Sequence, residues 1–369
     1  MTQNRTIVVV GGGYAGLAFV NQLRHYDRST PVTLIDRNPC HTLLVESHQV
    51  AAGSRSPESI LIPFDRISGV RFLQAEVLGG DLEAGILHTT AGPVPFDHLV
   101  LAVGSVDDDF GVPGVREHCQ VLRGFRDAVA IRNRLAALPP GAPVVVAGGG
   151  LTGVELAAQI ALRRTDGGTV MLVEAAPALL PGLPAQLGRF ARQRLGQLGV
   201  NVITGAPVAR VESGLAHLRD GTALPFGLMV WACGVRAHPL VAALGLPTDR
   251  SGRALVGRDF QTPLPGVYAI GDCAAGHAPS AQLALQQGRA LAAALSGRPP
   301  ARPREKGVLV DLGQGRAVGQ VGPLTLRGLL PGWLKRWTEV AWVAGVLGWK
   351  ATLHRLVHAG AVDGVRPPV

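Results

Sequence analysis

The sequence has few cysteines, and none of them are paired in a motif. The four thiols, Cys40, Cys119, Cys233 and Cys273, are scattered, without a CxxC or CxxxxC spacing. Flavoproteins that relay electrons through a disulfide need such a pair, so this mechanism is excluded. Residues 1–5 are too short and too polar to form a signal peptide, so none is expected. We therefore expect a catalytic face in the cytoplasm.

Long apolar runs and extreme composition are absent as well. The 369 residues are 47% hydrophobic and only 17% charged, and this length exceeds the usual limit of a single core. Strand-like and helix-like patterns alternate along the chain, which predicts an α/β protein with parallel sheets. Neither a metal site nor a nucleic-acid partner is expected. The net charge of +9 agrees with an anionic surface as partner, although an arginine-rich composition alone would also produce it.

One nucleotide-binding signature occurs twice, as TIVVVGGGYAG (6–16) and PVVVAGGGLTG (143–153). In each copy an apolar β-branched run predicts a buried strand, and glycines at GxGxxG spacing follow it. These glycines allow a tight turn, close approach of the backbone to a pyrophosphate, and close packing of helix on strand. They are Gly11, Gly13 and Gly16 in the first copy, and Gly148, Gly150 and Gly153 in the second.

An acidic residue follows each signature at the end of a second predicted strand. VTLID ends in Asp36, 20 residues after Gly16, and TVMLVE ends in Glu174, 21 residues after Gly153. Carboxylates at this distance bind the ribose hydroxyls of a dinucleotide and repel a 2′-phosphate. The second site is therefore predicted to prefer NAD(H) to NADP(H). The alternative for the pair is a Rossmann-type protein that has lost its ligands.

Three further stretches complete the architecture. FDHLVLAVGS (96–105) and LMVWACGV (228–235) each predict a strand that ends in a small-residue turn, at Gly104 and Gly234. TPLPGVYAIGDCA (262–274) predicts a strand followed by Asp272, whose carboxylate could bind a ribityl chain. This order predicts two Rossmann-like dinucleotide-binding domains, the second inserted in the first. We place FAD in a domain of residues 1–112 and 254–300, NADH in 113–253, and a helical membrane-binding region in 301–369.

The chain resembles the type II NADH dehydrogenases, which are single-subunit NADH:quinone oxidoreductases among the two-dinucleotide flavoproteins. The two GxGxxG units and TPLPGVYAIGD are generic to the wider group. More specific are LLVESHQVAAGSRSPESI, FGVPGVREH, RDAVAIRNRL, GGGLTGVEL, AQLALQQG and EKGVLVDLG. The resemblance covers nearly all of the chain.

The resemblance implies roles for individual residues. FAD would bind at the first glycine set with Asp36 and Asp272, and NADH at the second set with Glu174. The quinone would meet Gln282 and Gln286, although both could merely line or cap a buried helix. Glu155 would lie near the nicotinamide, but it also completes T-x-x-E with Thr152, which predicts a capping box.

Other positions remain open between function and structure. Lys306, one of only three lysines, would stabilise reduced flavin as a cation or lie solvated at the surface. His48 replaces an expected aromatic residue and could donate a proton to quinol or simply pack. Leu151 replaces a common proline, and Val103 a common threonine. These departures concern the quinone pocket and the acceptor.

The end of the sequence is rich in tryptophan. Four of the five tryptophans lie between residues 333 and 349, interleaved with cations such as Lys335 and Lys350. Trp333 and Trp337 are spaced i, i+4 and share a predicted helix face with Leu330 and Leu334. This pattern is typical of a helix lying on an anionic bilayer, and stretch 340–349 is too short to cross about 30 Å of hydrocarbon. A dimer interface or a packed core helix is the alternative.

Together these observations predict a monotopic FAD enzyme on the cytoplasmic face of the cell membrane. It would take hydride from NADH and pass two electrons to a membrane quinone without pumping protons. The alternatives are a soluble NADH:acceptor reductase that serves a ferredoxin, a dye or oxygen, and a flavin-bound, NADH-responsive protein without turnover. A sulfide:quinone oxidoreductase is disfavoured by the missing cysteine pattern, and a homodimer is left open.

Overall fold

The computed structural model describes residues 5–357. The strands are, in chain order, β1 (Ile7–Val10), β2 (Val32–Asp36), β3 (Cys40–Thr42), β4 (Leu61–Pro63), β5 (Arg71–Gln74), β6 (Val77–Asp81), β7 (Ile86–Thr89), β8 (Gly92–Pro95), β9 (His98–Leu101), β10 (Ser105–Asp107), β11 (Gln120–Val121), β12 (Val144–Ala147), β13 (Val170–Glu174), β14 (Val200–Thr204), β15 (Val208–Glu212), β16 (Leu215–Leu218), β17 (Ala223–Pro225), β18 (Leu228–Trp231), β19 (Val235–Ala237), β20 (Val267–Ala269), β21 (Gly307–Asp311), β22 (Ala317–Val321) and β23 (Leu324–Gly328). The α-helices are α1 (Tyr14–Tyr26), α2 (Ser47–Ala51), α3 (Val115–His118), α4 (Phe125–Ala136), α5 (Leu151–Arg163), α6 (Ala185–Gln197), α7 (Leu240–Ala243), α8 (Ala281–Leu295), α9 (Leu329–Leu347) and α10 (Trp349–Val357).

The first large sheet is parallel and has the strand order β20-β9-β1-β2-β5. All four residues of β1, IVVV, are buried, as expected for a central strand covered on both faces. β20 lies more than 150 residues after β9 in the chain, yet the two strands pair directly. The chain therefore returns to this sheet after building another domain.

The second large sheet repeats the arrangement with the order β11-β18-β12-β13-β14, again parallel. β12, VVVA, is fully buried and pairs with β13 as β1 pairs with β2. All five strands come from the segment between β9 and β20. The predicted fold class, two Rossmann-like domains with the second inserted in the first, is confirmed.

Smaller antiparallel sheets accompany the large ones. β6-β7-β8 belongs to the first domain and β15-β16-β17 to the second. β10 and β19 lie where the chain crosses between the domains, and they pair antiparallel with Val106 opposite Arg236. The amide of His238 extends this ladder by donating to the carbonyl oxygen of Gly104 at 3.2 Å.

The C-terminal region begins with a feature that the sequence did not predict. A three-stranded antiparallel sheet, β21-β22-β23, precedes the helices. The predicted helices follow as α9 and α10, separated by Gly348 at φ +82°. Within residues 5–357, no helix has both the length and the apolar character needed to cross a bilayer.

The core is continuous between the two domains and the C-terminal helices. One cluster of buried side chains includes Val9 from β1, Val146 from β12 and Trp342 from α9. α8 packs closely on α1, because a Cβ on Gly288 would lie 2.3 Å from the carbonyl oxygen of Ala15. The beginnings of α1 and α5 are thus held in one packed body with α8 and α9.

Candidate functional site

The first glycine loop joins β1 to α1 and has the geometry of a pyrophosphate cradle. Gly11 adopts φ +102°, and a Cβ there would lie 2.4 Å from the carbonyl oxygen of Ala102. A Cβ on Gly16 would lie 2.0 Å from the carbonyl oxygen of Gly11. Gly13, the N-cap of α1, has open space beside its Cα. Two glycines therefore permit close packing, and the third leaves room for a ligand at the helix N-terminus.

The second loop, between β12 and α5, repeats this geometry. Gly148 adopts φ +106°, with a Cβ position 2.4 Å from the carbonyl oxygen of Ala232. A Cβ on Gly153 would lie 1.8 Å from the carbonyl oxygen of Gly148, while Gly150 is open. The predicted strand-loop-helix context is thus present in both copies.

The acid after each loop contacts the loop backbone. The Asp36 Oδ2 atom accepts a hydrogen bond from the amide of Gly12 at 2.8 Å, and burial raises the pKa of Asp36 above its ordinary value. Glu174 is buried and accepts hydrogen bonds from the amides of Gly149 and Ala176. Both carboxylates therefore lie at the loops, as the sequence spacing requires.

Asp272 lies where the first domain meets α8. Its carboxylate accepts hydrogen bonds from the Ser105 hydroxyl at 2.9 Å and the amide of Ser280, the N-cap of α8, at 3.2 Å. Gly104 is next to Ser105, has φ +71°, and is open beside its Cα. By contrast, a Cβ on Gly234 would come within 2.8 Å of the Phe110 ring.

The two glutamines of α8 are tied to the segment before β21. Gln282 accepts a hydrogen bond from the amide of Lys306 at 2.7 Å, and Gln286 makes two hydrogen bonds with the backbone of Arg304. Lys306 itself is exposed. Gln287 is buried and accepts a hydrogen bond from the amide of Gly271 at 2.6 Å. The contacts of Gln282 and Gln286 therefore hold residues 304–306 against α8.

The predicted capping box of α5 is wrong. Gly150 is the N-cap and has no side-chain cap, so Thr152 lies inside the first turn. Glu155 turns away from the helix N-terminus and hydrogen-bonds to the ammonium group of Lys335 and to the amide of Asp311 at 2.9 Å. The buried carboxylate is therefore paired with a cation of the C-terminal region.

His48 and Asp311 extend this ionic cluster. The Nε2 atom of His48, which is only 2% exposed, lies 3.2 Å from the Asp311 Oδ2 atom, and its Nδ1 atom lies 3.6 Å from Glu155. Burial opposes ionisation of Asp311, but His48, the amide of Gly313 and Lys335 together outweigh it and lower the pKa of this carboxyl to about 2. Burial lowers the pKa of the Lys335 ammonium group, but the carboxylates of Glu155, Glu339 and Asp311 together outweigh this effect and raise it.

A cavity of about 530 Å³ adjoins this cluster. Its walls come from residues 43–59, the middle of α5, the end of β21, and α9. Two further carboxylates line it, Glu46 and Glu339.

Comparison with known proteins identifies the family. The model of the pyridine nucleotide-disulphide oxidoreductase family matches residues 5–288. A type II NADH:quinone oxidoreductase of Staphylococcus aureus is 30% identical over 332 residues, which cover 79% of this chain and 82% of the relative. The chain belongs to this family.

Two other matches agree over almost the full length. The NADH dehydrogenase-like protein YutJ of Bacillus subtilis is 29% identical over 349 residues, covering 90% of this chain and 96% of the relative. The solved structure of NDH2 from Plasmodium falciparum in complex with NADH has a TM-score of 0.86 at 19% identity, with complete coverage of both chains. The protein is thus a pyridine-nucleotide flavoprotein oxidoreductase, and the predicted use of FAD and NADH is confirmed.

The cysteines of this oxidoreductase show no redox pairing. All four lie within the described residues and are free thiols. Cys273 is buried, its thiol contacts the carbonyl oxygens of Leu101 and Ile270, and burial raises its pKa to about 11. A thiol with a raised pKa is a poor nucleophile. Despite the name of the family, the described residues contain no disulfide.

The tryptophan-rich tail of the enzyme divides into an outer and an inner face. Trp333, Trp337 and Trp349 are 64%, 50% and 52% exposed, and the rings of Trp333 and Trp337 stack at 6.2 Å. Trp342 is buried, and its Nε1–H donates to the Nε2 atom of His41 at 3.3 Å. Lys335 also points inward, so its prediction as a lipid-facing cation is wrong. The cause is Glu155, which offers it a buried counter-charge.

The sequence analysis missed the partners of Glu155. Asp311 belongs to the EKGVLVDLG stretch (305–313) that carries the family resemblance. The sequence therefore pointed to this segment but did not indicate which residue the carboxylate contacts. Lys335 was visible as one of three lysines, yet nothing local distinguished it from a surface cation. They meet because α5 and α9 both pack against β21.

Proposed function

We propose that this enzyme oxidises NADH and passes two electrons through FAD to a membrane quinone, without proton pumping. One observation carries the proposal. α9 exposes Trp333 and Trp337 on one side and pairs Lys335 with Glu155 of α5 on the other. The helix α9 therefore connects a surface suited to lipid with α5, the helix that follows the second glycine loop. The names of the type II relatives support the same acceptor.

The chain fits FAD at the first loop. Gly11 and Gly16 permit the tight turn, and the open space at Gly13 lies at the N-terminus of α1, whose partial positive charge favours a pyrophosphate. Asp36 would exchange its contact with Gly12 for a ribose hydroxyl. At the other end of the cofactor, Gly104 and Asp272 would face the ribityl chain.

The second loop fits NADH in the same way. Gly148, Gly150 and Gly153 form the cradle, and the Glu174 carboxylate would bind the adenosine ribose. Gly234 follows β18 at the edge of this domain, and its lack of a side chain leaves space for the ring of Phe110. We place the nicotinamide beside this turn.

Glu155 joins α5 to the tail through Lys335, and α8 packs against α1. Bound FAD would supply the hydride and electron chemistry, and the protein supplies orientation and charge. Glu155, fixed by Lys335 and the amide of Asp311, would present an ordered carboxylate near the nicotinamide. Gln282 and Gln286 would donate to quinone oxygens by releasing the backbone of residues 304–306. Lys306 would then bring a cation toward the reduced flavin.

The tail would place the enzyme on the cytoplasmic membrane surface. Three exposed tryptophans with the exposed Leu329 and Leu330 form an apolar patch, which suits burial at the boundary of headgroups and acyl chains. The exposed Lys350 lies beside it. We propose peripheral binding to anionic lipid, with the quinone entering from the bilayer. Residues 358–369, which were predicted to belong to this region, lie outside the described residues.

The decisive experiment separates the two half-reactions. Under anaerobic conditions, NADH should bleach the flavin absorbance of the FAD-loaded enzyme, and a soluble quinone should restore it. With liposomes that contain a long-tailed quinone, the full chain should sediment with the vesicles and turn over. If ferredoxin, a dye or oxygen reoxidises the reduced flavin and quinone does not, the result would support a soluble reductase instead. Failure of NADH to reduce the flavin would overturn the enzyme assignment.

A further inference from the structure

Phe110 is a large apolar side chain that the fold leaves in solvent. It is 62% exposed, and its backbone adopts φ +50°, a left-handed conformation that a phenylalanine rarely takes. Such a conformation persists only where the surrounding structure enforces it, and residues of this kind are concentrated at functional sites. Neither the glycine loops nor the ionic cluster around Glu155 uses this ring.

Hydrogen bonds tie the loop that carries Phe110 to the turn that follows β18. The indole N–H of Trp231 donates to the carbonyl oxygen of Asp108 at 2.8 Å, and the Asp108 amide donates to the carbonyl oxygen of Gly234 at 3.1 Å. Within the loop, the amide of Phe110 donates to the Asp108 carboxylate at 2.9 Å. The backbone therefore fixes the point at which the side chain of Phe110 leaves the loop.

The same turn borders the second glycine loop. A Cβ on Gly148 would lie 2.4 Å from the carbonyl oxygen of Ala232 and 2.9 Å from the Cα atom of Cys233. A Cβ on Gly234, at the end of this turn, would lie 2.8 Å from the Phe110 ring. The glycine loop, the turn and the ring therefore adjoin one another in this order. The ring lies on the side of the loop where we place the nicotinamide.

The first domain differs from the second at the equivalent point. A Cβ on Gly11 would also lie 2.4 Å from a carbonyl oxygen, that of Ala102, so the turn 102–104 corresponds to the turn 232–234. Gly104 is open beside its Cα atom, whereas the Phe110 ring covers Gly234. The space that we assign to the ribityl chain of FAD in the first domain is thus bounded by an aromatic ring in the second.

We propose that Phe110 packs against the nicotinamide half of NADH and fixes its orientation toward the flavin. The proposal rests on the proposed function, which places NADH at the second glycine loop. A flat ring that packs on Phe110 would remove exposed apolar surface from water, and two rings gain further from their preferred contact geometries. Because the loop is already ordered by its hydrogen bonds, little conformational entropy is lost when the nucleotide binds.

Binding of NAD⁺ and of ADP-ribose to the oxidised, FAD-loaded full chain tests this contact without turnover. ADP-ribose retains the adenosine, the pyrophosphate and the second ribose but lacks the nicotinamide. In isothermal titration calorimetry, Phe110→Asn should raise the Kd of NAD⁺ about tenfold and that of ADP-ribose less than about twofold. Phe110→Tyr keeps the ring and should bind both ligands as the wild type does.

The stability of the same variant separates a binding role from a packing role. Asparagine adopts the left-handed conformation more readily than phenylalanine, so Phe110→Asn should keep or raise the midpoint of urea unfolding while NAD⁺ binding weakens. Phe260 is the matched control, because it adopts φ +66° but is only 6% exposed. Phe260→Leu should lower the unfolding midpoint through lost packing and leave the affinity for NAD⁺ unchanged.

Flavin reduction measures whether the contact orients the nicotinamide. In stopped-flow experiments at saturating NADH, Phe110→Asn should reduce the flavin about tenfold more slowly, because the bound ring is less often aligned for hydride transfer. Phe110→Tyr should restore most of the rate. A variant that weakens binding but reduces the flavin at the wild-type limiting rate would overturn the orienting role.

The remaining outcomes separate this inference from the proposed function. Equal weakening of NAD⁺ and ADP-ribose, or wild-type affinity of Phe110→Asn for both, would overturn the contact with the nicotinamide. A change in oligomeric state with unchanged NAD⁺ affinity would assign the exposed ring to a contact between two copies of the chain, and the inference would be wrong. If the wild-type chain bound neither ligand and NADH did not reduce its flavin, the proposed function itself would fail.

Discussion

The two nucleotide loops share a backbone but differ at one buried position. Two residues after the third glycine, α1 carries Ala18 and α5 carries Glu155, and both side chains are buried. The cradle geometry at Gly16 and Gly153 is nearly the same, with a Cβ position 2.0 or 1.8 Å from a backbone oxygen. The shared glycine geometry is the part expected to bind a pyrophosphate. The buried carboxylate of Glu155 distinguishes the second helix from the first.

α9 contacts each of these helices through a different kind of side chain. Toward α1 it presents Trp342, whose ring centre lies 5.6 Å from that of Tyr14. Toward α5 it presents Lys335, which pairs with Glu155. The first loop therefore has an aromatic neighbour and the second a charged one. Four experiments test this contrast.

The largest effect is expected from adding a methyl group at the third glycine of each loop. Gly16→Ala should release FAD, whereas Gly153→Ala should retain it but slow flavin reduction by NADH at least a hundredfold. Each Cβ would collide with a backbone oxygen, so we also expect a loss of about 1–3 kcal/mol in stability. Flavin content and stopped-flow reduction measure the two outcomes. Gly196→Ala, at an open site in α6, is the control. If both variants lost the same cofactor, the assignment of one cofactor to each loop would be wrong.

The next effect concerns the buried ion pair. Glu155→Ala makes α5 resemble α1 but leaves Lys335 without its partner, and should destabilise the FAD-loaded enzyme by about 3 kcal/mol. The double variant Glu155→Ala/Lys335→Met should recover part of this loss in urea unfolding. Glu212→Ala removes an exposed pair with Arg210 and should cost less than about 1 kcal/mol. Additive losses from Glu155 and Lys335 would mean that the contact contributes nothing specific.

Nucleotide choice gives a smaller and more selective effect. The wild-type enzyme should prefer NADH because the Glu174 carboxylate repels a 2′-phosphate. Glu174→Gln keeps an acceptor for the Gly149 amide and removes the charge, so the ratio of kcat/KM for NADPH to that for NADH should rise about tenfold. Asp36→Asn, in the first loop, should alter FAD retention and leave this ratio unchanged. A wild-type preference for NADPH would contradict the placement of Glu174.

The smallest effect is expected at the outer face of α9. Trp333→Ala/Trp337→Ala should weaken sedimentation with anionic liposomes about tenfold at low salt, because two exposed rings no longer enter the interface. NADH:ferricyanide activity should persist, since Lys335 and Trp342 on the inner face are untouched. Leu78→Ala, which truncates an equally exposed side chain in the first domain, is the control. Unchanged sedimentation would place the membrane contact elsewhere.

The Rossmann-like parts were predictable because their determinants are local. A buried strand, a glycine at positive φ and an acid after the next strand all lie within about 30 residues. The C-terminal sheet β21-β23 was missed because its short strands carry several glycines and no long apolar alternation. The inward turn of Lys335 and Trp342 was also missed. Their partners, Glu155 and His41, lie far away in sequence, and helical periodicity alone did not separate them from the exposed Trp333 and Trp337.

The paired strands β10 and β19 set the freedom of motion between the domains. Both crossings of the chain belong to one short antiparallel ladder, which the hydrogen bond from His238 to Gly104 extends. Two independent tethers would permit a hinge rotation, but here such a rotation would shear several backbone hydrogen bonds at once. The distance between the two glycine loops is therefore set by the fold and does not depend on a closing movement of the domains. Amide protons of this ladder should accordingly exchange with solvent no faster in the nucleotide-free enzyme than in the complex.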